Sequence, residues 1–153
     1  MSDAVVYLDS SALIKLIFEE PESTALTSFL GAWPLRVTSS LTCIEVTRVV
    51  AHVDDPLVDR EAQRVLRGVS LIRMDDGIVA AAAKVGPPGL RSLDAIHLAT
   101  AQSLGHHLAG MVVYDRRLAD AARGCGINIW APGHEAVPPR RVKPPVTGDN
   151  LHD

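Results

Sequence analysis

Four acidic residues lie in apolar surroundings at widely separated points of the chain, at Asp9, Glu45, Asp94 and Asp115. Each follows an apolar run typical of a strand or interrupts an apolar helix pattern. A lone carboxylate in such surroundings is strongly unfavourable unless a cation or hydrogen-bond donors meet it. Four of them therefore indicate one shared partner, and the simplest is a hard divalent metal ion with oxygen ligands.

The chemistry expected of such a cluster is phosphoester hydrolysis. Carboxylates brought together repel one another, and without a cation some would bind protons near neutral pH. Mg²⁺ or Mn²⁺ removes that conflict, with one or two carboxylates bound directly and the others orienting water. A metal ion in such a site lowers the pKa of bound water and orients a phosphodiester for attack.

Strand and helix patterns alternate along the chain. The predicted strands are residues 5–8, 35–38, 69–73, 109–114 and 127–130, and the predicted helices are 11–18, 22–30, a helix from about 41, 56–67, 76–85, 93–104 and 116–123. Short apolar strands separated by helices predict an α/β fold with a mainly parallel sheet covered on both faces. Such sheets bind their ligands beyond the carboxyl ends of the strands.

The predicted elements place the four acids near one edge of that sheet. Asp9 and Asp115 end strands, whereas Glu45 and Asp94 lie near helix starts. Ser92 is the predicted cap of the helix that carries Asp94. That helix has no other formally charged residue, which predicts a central position in the fold.

Length and composition indicate one domain. The 153 residues are 47% hydrophobic, and a Pro-rich stretch without apolar periodicity begins after Ala131. We therefore predict a domain over residues 1–131 and an extended or disordered tail over 132–153. The net charge of -3 lacks the basic signature of a general nucleic-acid binder, so a nucleic-acid substrate would have to be held locally.

The cysteines and the apolar segments bear on the cellular setting. Cys43 and Cys125 lie far apart without a CxxC motif, so zinc is not expected, and we predict two buried thiols in a reducing compartment. No apolar segment approaches the roughly 20 residues needed to cross a bilayer. The expectation is a soluble, cytoplasmic protein with no membrane partner.

Each acid also has a structural interpretation. Asp9 and Asp115 could cap the helices that follow them, Glu45 could pair with Arg48 one turn later, and Asp94 could complement a helix dipole. His97 shares part of a helix face with Asp94; we interpret it as a packed core histidine, with a catalytic base as the alternative.

The motifs around these acids resemble a known family. The segments LDSSALIKL, SSLTCIEVTR, RSLDAIHLATA and VVYDRRLADAA occur in this order and closely resemble PIN-domain ribonucleases, in particular the VapC toxins of prokaryotic toxin-antitoxin pairs. The resemblance covers about residues 4 to 130. It implies a PIN-like three-layer α/β/α sandwich with four or five short strands, and metal-dependent endonucleolytic cleavage of RNA.

The same resemblance implies the partners and the roles of the acids. It implies Mg²⁺ or Mn²⁺ as cofactor, with Asp9 and Asp94 as the most direct ligands and Glu45 and Asp115 completing the acidic pocket. It also implies a homodimer and inhibition by a cognate VapB antitoxin, in a heterotetramer or a larger complex.

Three questions stay open at the level of the sequence. Ser10 could contact a water molecule or phosphate near Asp9, although capping the first helix, by Ser10 or Ser11, is the more ordinary role for these serines. Arg116 belongs to a group of arginines that could form a phosphate-binding rim or a solvated helix face. A catalytically inactive PIN-like interaction module is the alternative to an active enzyme.

Overall fold

A computed structural model describes residues 3–134 and contains five strands and seven α-helices in that range. The strands are β1 (Val5–Leu8), β2 (Arg36–Ser39), β3 (Ser70–Ile72), β4 (Leu108–Val112) and β5 (Ile129–Trp130). The helices are α1 (Ser10–Ile17), α2 (Ser23–Leu30), α3 (Ser40–Val53), α4 (Pro56–Arg67), α5 (Asp76–Ala82), α6 (Ser92–Gln102) and α7 (Arg116–Gly124). Of the predicted tail, residues 135–153 lie outside the described range, so the domain boundary stays a prediction.

The five strands form one parallel sheet in the order β3-β2-β1-β4-β5. Tyr7 on the central strand β1 pairs with Val37 on one side and Met111 on the other. Strands β2 and β3 therefore lie on one side of β1, and strands β4 and β5, which follow in the sequence, lie on its other side. This reversal places a topological switch point between β1 and β4, where open α/β sheets bind ligands.

Helices cover both faces of the sheet because side chains alternate along β1. Val6 and Leu8 belong to one core with residues of α1, α2, α3 and α4, whereas Tyr7 belongs to the other with residues of α6 and α7. Helix α5 packs against α6. The predicted three-layer α/β/α fold is therefore confirmed.

Local capping explains where several elements begin. Asp55 precedes Pro56, and its side chain accepts a hydrogen bond from the amide of Leu57 at the start of α4. Asp75 caps α5 in the same way through the amide of Ile78. These signals were visible in the sequence, and α4 has the predicted bounds.

Other predictions of detail were wrong. Ser92 is the first residue of α6 rather than its cap; Arg91 occupies the cap position without a side-chain hydrogen bond. Strand β4 ends at Val112, two residues before its predicted end at Tyr114. The amide of Tyr114 donates a hydrogen bond to the hydroxyl of Ser11 instead of to a neighbouring strand. Both cysteines are free as predicted, but they are not buried.

The cysteines differ in exposure. Cys43 is half-buried, and its burial raises the pKa of the thiol, whereas Cys125 is exposed just after α7. Cys125 follows the last turn of an amphipathic helix whose buried face is supplied by Leu118, Ala119, Ala121 and Ala122. Within residues 3–134, none of the helices is both long enough and apolar enough to span a membrane.

Candidate active site

The four predicted acids line one cleft of about 460 Å³ at the carboxyl ends of β1 and β4. The cleft is lined by Asp9, Ser10, Ser11, Ile14, Lys15, Glu20, Glu45, Val49, Asp94, Tyr114 and Asp115. Asp9 follows β1 and Asp115 lies just beyond β4, on the two sides of the switch point. Helices α3 and α6 bring Glu45 and Asp94 to the same place.

Asp9 lies at the bottom of the cleft, where it is 3% exposed, and caps α1. Its Oδ1 accepts hydrogen bonds from the Ser11 hydroxyl at 2.6 Å and the Ala12 amide at 3.0 Å. Burial raises the pKa of Asp9 to about 6, helped by the charge of Glu45 and opposed by these hydrogen bonds and by His97. The carboxyl is thus both a helix cap and an acid that is easier to protonate than usual.

Asp115 is also a helix cap. Its Oδ1 accepts from the amide of Leu118 at 2.9 Å and so begins α7, while the residue itself is exposed. Both capping interpretations are therefore correct as geometry. They leave the second carboxylate oxygen of each residue without a hydrogen bond in the described part of the chain.

Asp94 is partly buried in the first turn of α6 and accepts no hydrogen bond from residues 3–134. Its pKa is raised, first by burial and then by the charge of Asp115, with a further contribution from Glu45. His97 and Arg91 oppose this shift. The acids are therefore close enough to interact, although they come from four elements.

Glu45 is held by groups that sequence reasoning did not assign to it. Its Oε1 accepts a hydrogen bond from His97 Nε2 at 2.7 Å, and its Oε2 accepts from the Ser10 hydroxyl at 3.3 Å. The predicted alternative, a pair with Arg48, does not form within the described residues. Ser10 and Ser11 do not cap α1, since Asp9 does; their hydroxyls bond the acids instead.

His97 is buried, at 2% exposed, as its interpretation as a core histidine predicted. Its second ring nitrogen, Nδ1, lies 2.6 Å from the hydroxyl oxygen of Tyr7. The shared helix face of His97 and Asp94 was predicted from the sequence, whereas the contact of His97 with Glu45 was not. The one signal available was that spacing of three residues.

Lys15 and Tyr114 are further lining residues that sequence analysis missed. The Lys15 amine lies 4.8 Å from the centre of the Tyr114 ring and bonds Glu20 at 2.9 Å and Glu22 at 3.1 Å. Burial opposes the charge on Lys15, but these two glutamates raise its pKa overall. A helical spacing of four from Ser11 placed Lys15 on this face and could have revealed it.

Arg116 lies beside the cleft rather than in it. It is the exposed first residue of α7 and lines a neighbouring cleft with Tyr114, Asp120 and His134. Its contact with a substrate therefore stays a prediction.

The donor set fits a hard divalent cation. The four acids offer carboxylate oxygens, two of the four have raised pKa values, and Lys15 is already paired with glutamates outside this group. In the conformation described for residues 3–134, no group of three or more His, Cys, Asp or Glu side chains is arranged so that it could hold a metal ion. The chemistry of the ligands fits, whereas their final positions around an ion stay a prediction.

Comparison with known proteins identifies the family. The PIN domain family model matches residues 6–124, a span that contains all four acids. The chain belongs to the PIN domain family. It is 42% identical over 129 residues to Ribonuclease VapC46 of Mycobacterium tuberculosis, an alignment that covers 84% of this chain and 98% of the relative. The predicted resemblance to VapC proteins is confirmed.

Solved structures support the fold of this PIN domain. A structure of FitAB bound to an IR36 DNA fragment superposes with a TM-score of 0.68 at 17% identity, covering 86% of this chain and 97% of that one. A toxin-antitoxin complex from Klebsiella pneumoniae superposes with a TM-score of 0.62 at 20% identity, covering 86% and 99%.

Proposed function

We propose that this PIN domain is a Mg²⁺- or Mn²⁺-dependent endoribonuclease and the toxin of a toxin-antitoxin pair. The observation that carries the proposal is the cleft in which Asp9, Glu45, Asp94 and Asp115 converge at the switch point of the sheet. Relatives that share up to 42% identity are named ribonucleases, which supports RNA as the substrate class.

The metal-binding residues follow from the chemistry and the placement of the acids. Asp9 and Asp94 would bind the ion directly, since their pKa values are raised by burial and by neighbouring acids and a cation would offset both effects. Glu45 and Asp115 would complete the acidic pocket. The bound ion would supply a water molecule of lowered pKa and offset negative charge on the phosphodiester.

Two lining serines and one backbone amide orient these acids. Ser11 and the amide of Ala12 hold Oδ1 of Asp9, and Ser10 lies 3.3 Å from Oε2 of Glu45. Fixed donors of this kind keep the acids from rotating away when the cleft is filled. Arg116, exposed at the start of α7, would contact RNA phosphates outside the cleft.

The proposed partner is a VapB-type antitoxin. Apolar side chains are exposed on the helices that carry two of the acids: Ile44 on α3 is 59% exposed, and Leu93 on α6 is 48% exposed. Val49, 44% exposed, lines the cleft itself. An amphipathic helix laid over such side chains would cover the cleft, and a basic residue on it would pair with the acids. A homodimer, joined by antitoxin into a heterotetramer or larger complex, is the proposed assembly.

RNA cleavage by purified protein tests the proposal. Wild-type protein should cleave members of a mixed RNA panel with Mg²⁺ or Mn²⁺ and not with chelator. Asp94→Asn should reduce cleavage by at least about a hundredfold, because it removes a charged ligand while keeping the size of the side chain. Asp59→Asn is the matched control, since Asp59 lies in the first turn of α4 and is exposed outside the cleft.

The alternative is an inactive PIN-like module that keeps the fold and the partner. That alternative predicts no metal-dependent cleavage by wild-type protein that nevertheless binds its antitoxin. Equal cleavage by wild-type and Asp94→Asn protein would instead contradict the role assigned to the acids.

A further inference from the structure

Three side chains from three elements form a hydrogen-bonded chain through the core into the cleft. Tyr7 on β1 contacts His97 on α6, which contacts Glu45 on α3. Tyr7 is fully buried and His97 is 2% exposed, whereas the Glu45 side chain is 23% exposed. The chain therefore runs from the core outward to the acidic cleft.

The carboxylate of Glu45 determines the direction of the hydrogen bond that it makes with His97. A carboxylate only accepts, so the hydrogen between His97 and Glu45 is carried by Nε2. The Tyr7 hydroxyl lies within hydrogen-bond distance of the other ring nitrogen, Nδ1, at 2.6 Å. Both nitrogens of the His97 ring therefore have a partner.

This arrangement decides which Glu45 oxygen faces the cleft. His97 occupies Oε1, whereas Oε2 lies beside Ser10, a residue that lines the cleft. A histidine that only filled the core could bond any backbone carbonyl, as the buried hydroxyl of Thr100 does with Ile96. His97 instead bonds one of the four acids across 52 residues of sequence.

We propose that Tyr7 and His97 are positioning residues that hold Glu45 by one carboxylate oxygen and present the other to the acidic cleft. Tyr7 holds the ring of His97 in place, and His97 holds the orientation of Glu45. A hydrogen bond at the opposite ring nitrogen generally orients a histidine in this way. The effect of these residues on catalysis rests on the proposed nuclease function. The hydrogen bonds that link Tyr7, His97 and Glu45 are independent of that function.

Metal-free protein provides the first test. In NMR spectra of protein labelled with ¹⁵N-histidine, the ring signals of His97, assigned by their loss in His97→Gln, should show a proton held on Nε2. Tyr7→Phe removes only the hydroxyl and should shift the Nδ1 signal, whereas Thr100→Val, which removes a buried hydroxyl elsewhere on α6, should not. An Nε2 without a proton, or an Nδ1 signal that does not respond to Tyr7→Phe, would overturn the inference whether or not the protein cleaves RNA.

Kinetics with RNA and Mn²⁺ provide the second test. Tyr7→Phe should lower kcat about tenfold and His97→Leu about a hundredfold with little change in KM, the range seen when residues that orient metal ligands are removed. His97→Gln keeps an N–H donor toward Glu45 and should recover part of the loss. If wild-type protein cleaves RNA while Tyr7→Phe and His97→Leu match Thr100→Val, the positioning role is wrong and the nuclease function stands. If wild-type protein neither cleaves RNA nor binds Mn²⁺, the proposed function is wrong. The NMR spectra still decide whether Tyr7, His97 and Glu45 are linked by hydrogen bonds.

Discussion

Asp9 serves the fold and the candidate site with the same carboxyl group. Its Oδ1 caps α1 through the amide of Ala12 and accepts from Ser11, which leaves Oδ2 for the cleft. Asparagine caps helices about as well as aspartate, so Asp9→Asn keeps the cap and removes the charge. The two roles can therefore be separated by a single substitution.

Without metal, the stability that Asp9 contributes should fall as pH rises. The pKa of Asp9 is about 6 in the folded protein, above its ordinary value of 3.8, so the folded state binds this proton more tightly than the unfolded state. The contribution is complete below about pH 4 and is lost as pH rises through 6, by roughly 2 to 3 kcal/mol at most. Urea unfolding of wild-type and Asp9→Asn protein in chelator should show Asp9→Asn becoming relatively more stable over this interval.

Asp59→Asn again supplies the control, because Asp59 is exposed on α4. The difference in unfolding free energy between this variant and wild type should not vary in the same way with pH. A constant difference for Asp9→Asn as well would show that the Asp9 carboxyl titrates normally.

Asp94 should be unfavourable for the metal-free fold and required for metal binding. Its pKa is raised by burial and by Asp115, so Asp94→Asn should leave the metal-free melting temperature unchanged or higher, despite a loss of about 0.3 to 1 kcal/mol in helix-dipole energy. Mn²⁺ should raise the melting temperature of wild-type protein, since a ligand that binds only the folded state stabilises it. Differential scanning calorimetry with and without Mn²⁺ should show a much smaller rise for Asp94→Asn. An equal rise in both proteins would place the ion elsewhere.

At the scale of elements, apolar periodicity predicted the strands and helices well. Most of the helices begin at a residue whose side chain caps them. The acids after β1 and β4 were predicted at one sheet edge, since parallel strands end on the same side. The contact between Tyr7 and His97 could not be predicted in this way. These residues are 90 positions apart, and their meeting depends on how α6 crosses the sheet, which no local pattern encodes.

The boundaries of elements were predicted less well where a tertiary contact competes with the local signal. Tyr114 continues the apolar run of β4, yet its amide bonds Ser11 on α1 and its hydroxyl bonds the carbonyl of Pro132. Those contacts turn the chain toward the cleft before Asp115. The strand pattern in the sequence contains no information about a hydroxyl group that another element contributes.

Gly110 on β4 should tolerate no side chain. A Cβ at this position would lie 2.5 Å from the Trp130 ring and 2.7 Å from the carbonyl oxygen of Asn128. To remove this overlap, the backbone at Asn128 and the adjoining strand β5 would have to move, because the carbonyl oxygen belongs to the main chain. Gly110→Ala should therefore lower the unfolding free energy by about 1 to 3 kcal/mol or more, measured by urea unfolding.

Gly89→Ala is the matched control for this prediction. A Cβ at Gly89 meets nothing within 4 Å, so its effect should stay within about 0.5 kcal/mol. If Gly110→Ala were as stable as this control, β5 would not be held against β4 as described.

At the scale of the whole molecule, the net charge of the protein is negative, and so is that of the proposed substrate, RNA. A net charge of -3 does not attract RNA, so binding would depend on the metal ion and on exposed arginines such as Arg116, which lines the neighbouring cleft. The exposed apolar side chains of Ile44 and Val49 on α3 and of Leu93 on α6 are suited to a protein partner rather than to RNA. Substrate and inhibitor would thus compete for one surface.

Production of the protein alone should arrest the growth of a bacterial host, because an uninhibited ribonuclease degrades the RNA that growth requires. Co-production of the small protein encoded beside this chain should restore growth if that protein is the antitoxin, by covering the cleft and its apolar surroundings. Growth curves after induction, together with the amount of soluble protein, measure both effects.

Asp94→Asn distinguishes cleavage from other causes of toxicity. The variant keeps the apolar side chains that a partner would bind, so it should still form a complex with the antitoxin while leaving growth unaffected at equal soluble amounts. Arrest by Asp94→Asn as severe as that by wild type would attribute the toxicity to something other than the acidic site. Full growth with abundant soluble wild-type protein would instead count against a toxin, and metal-dependent cleavage in vitro would then decide whether this PIN domain is a nuclease with another role.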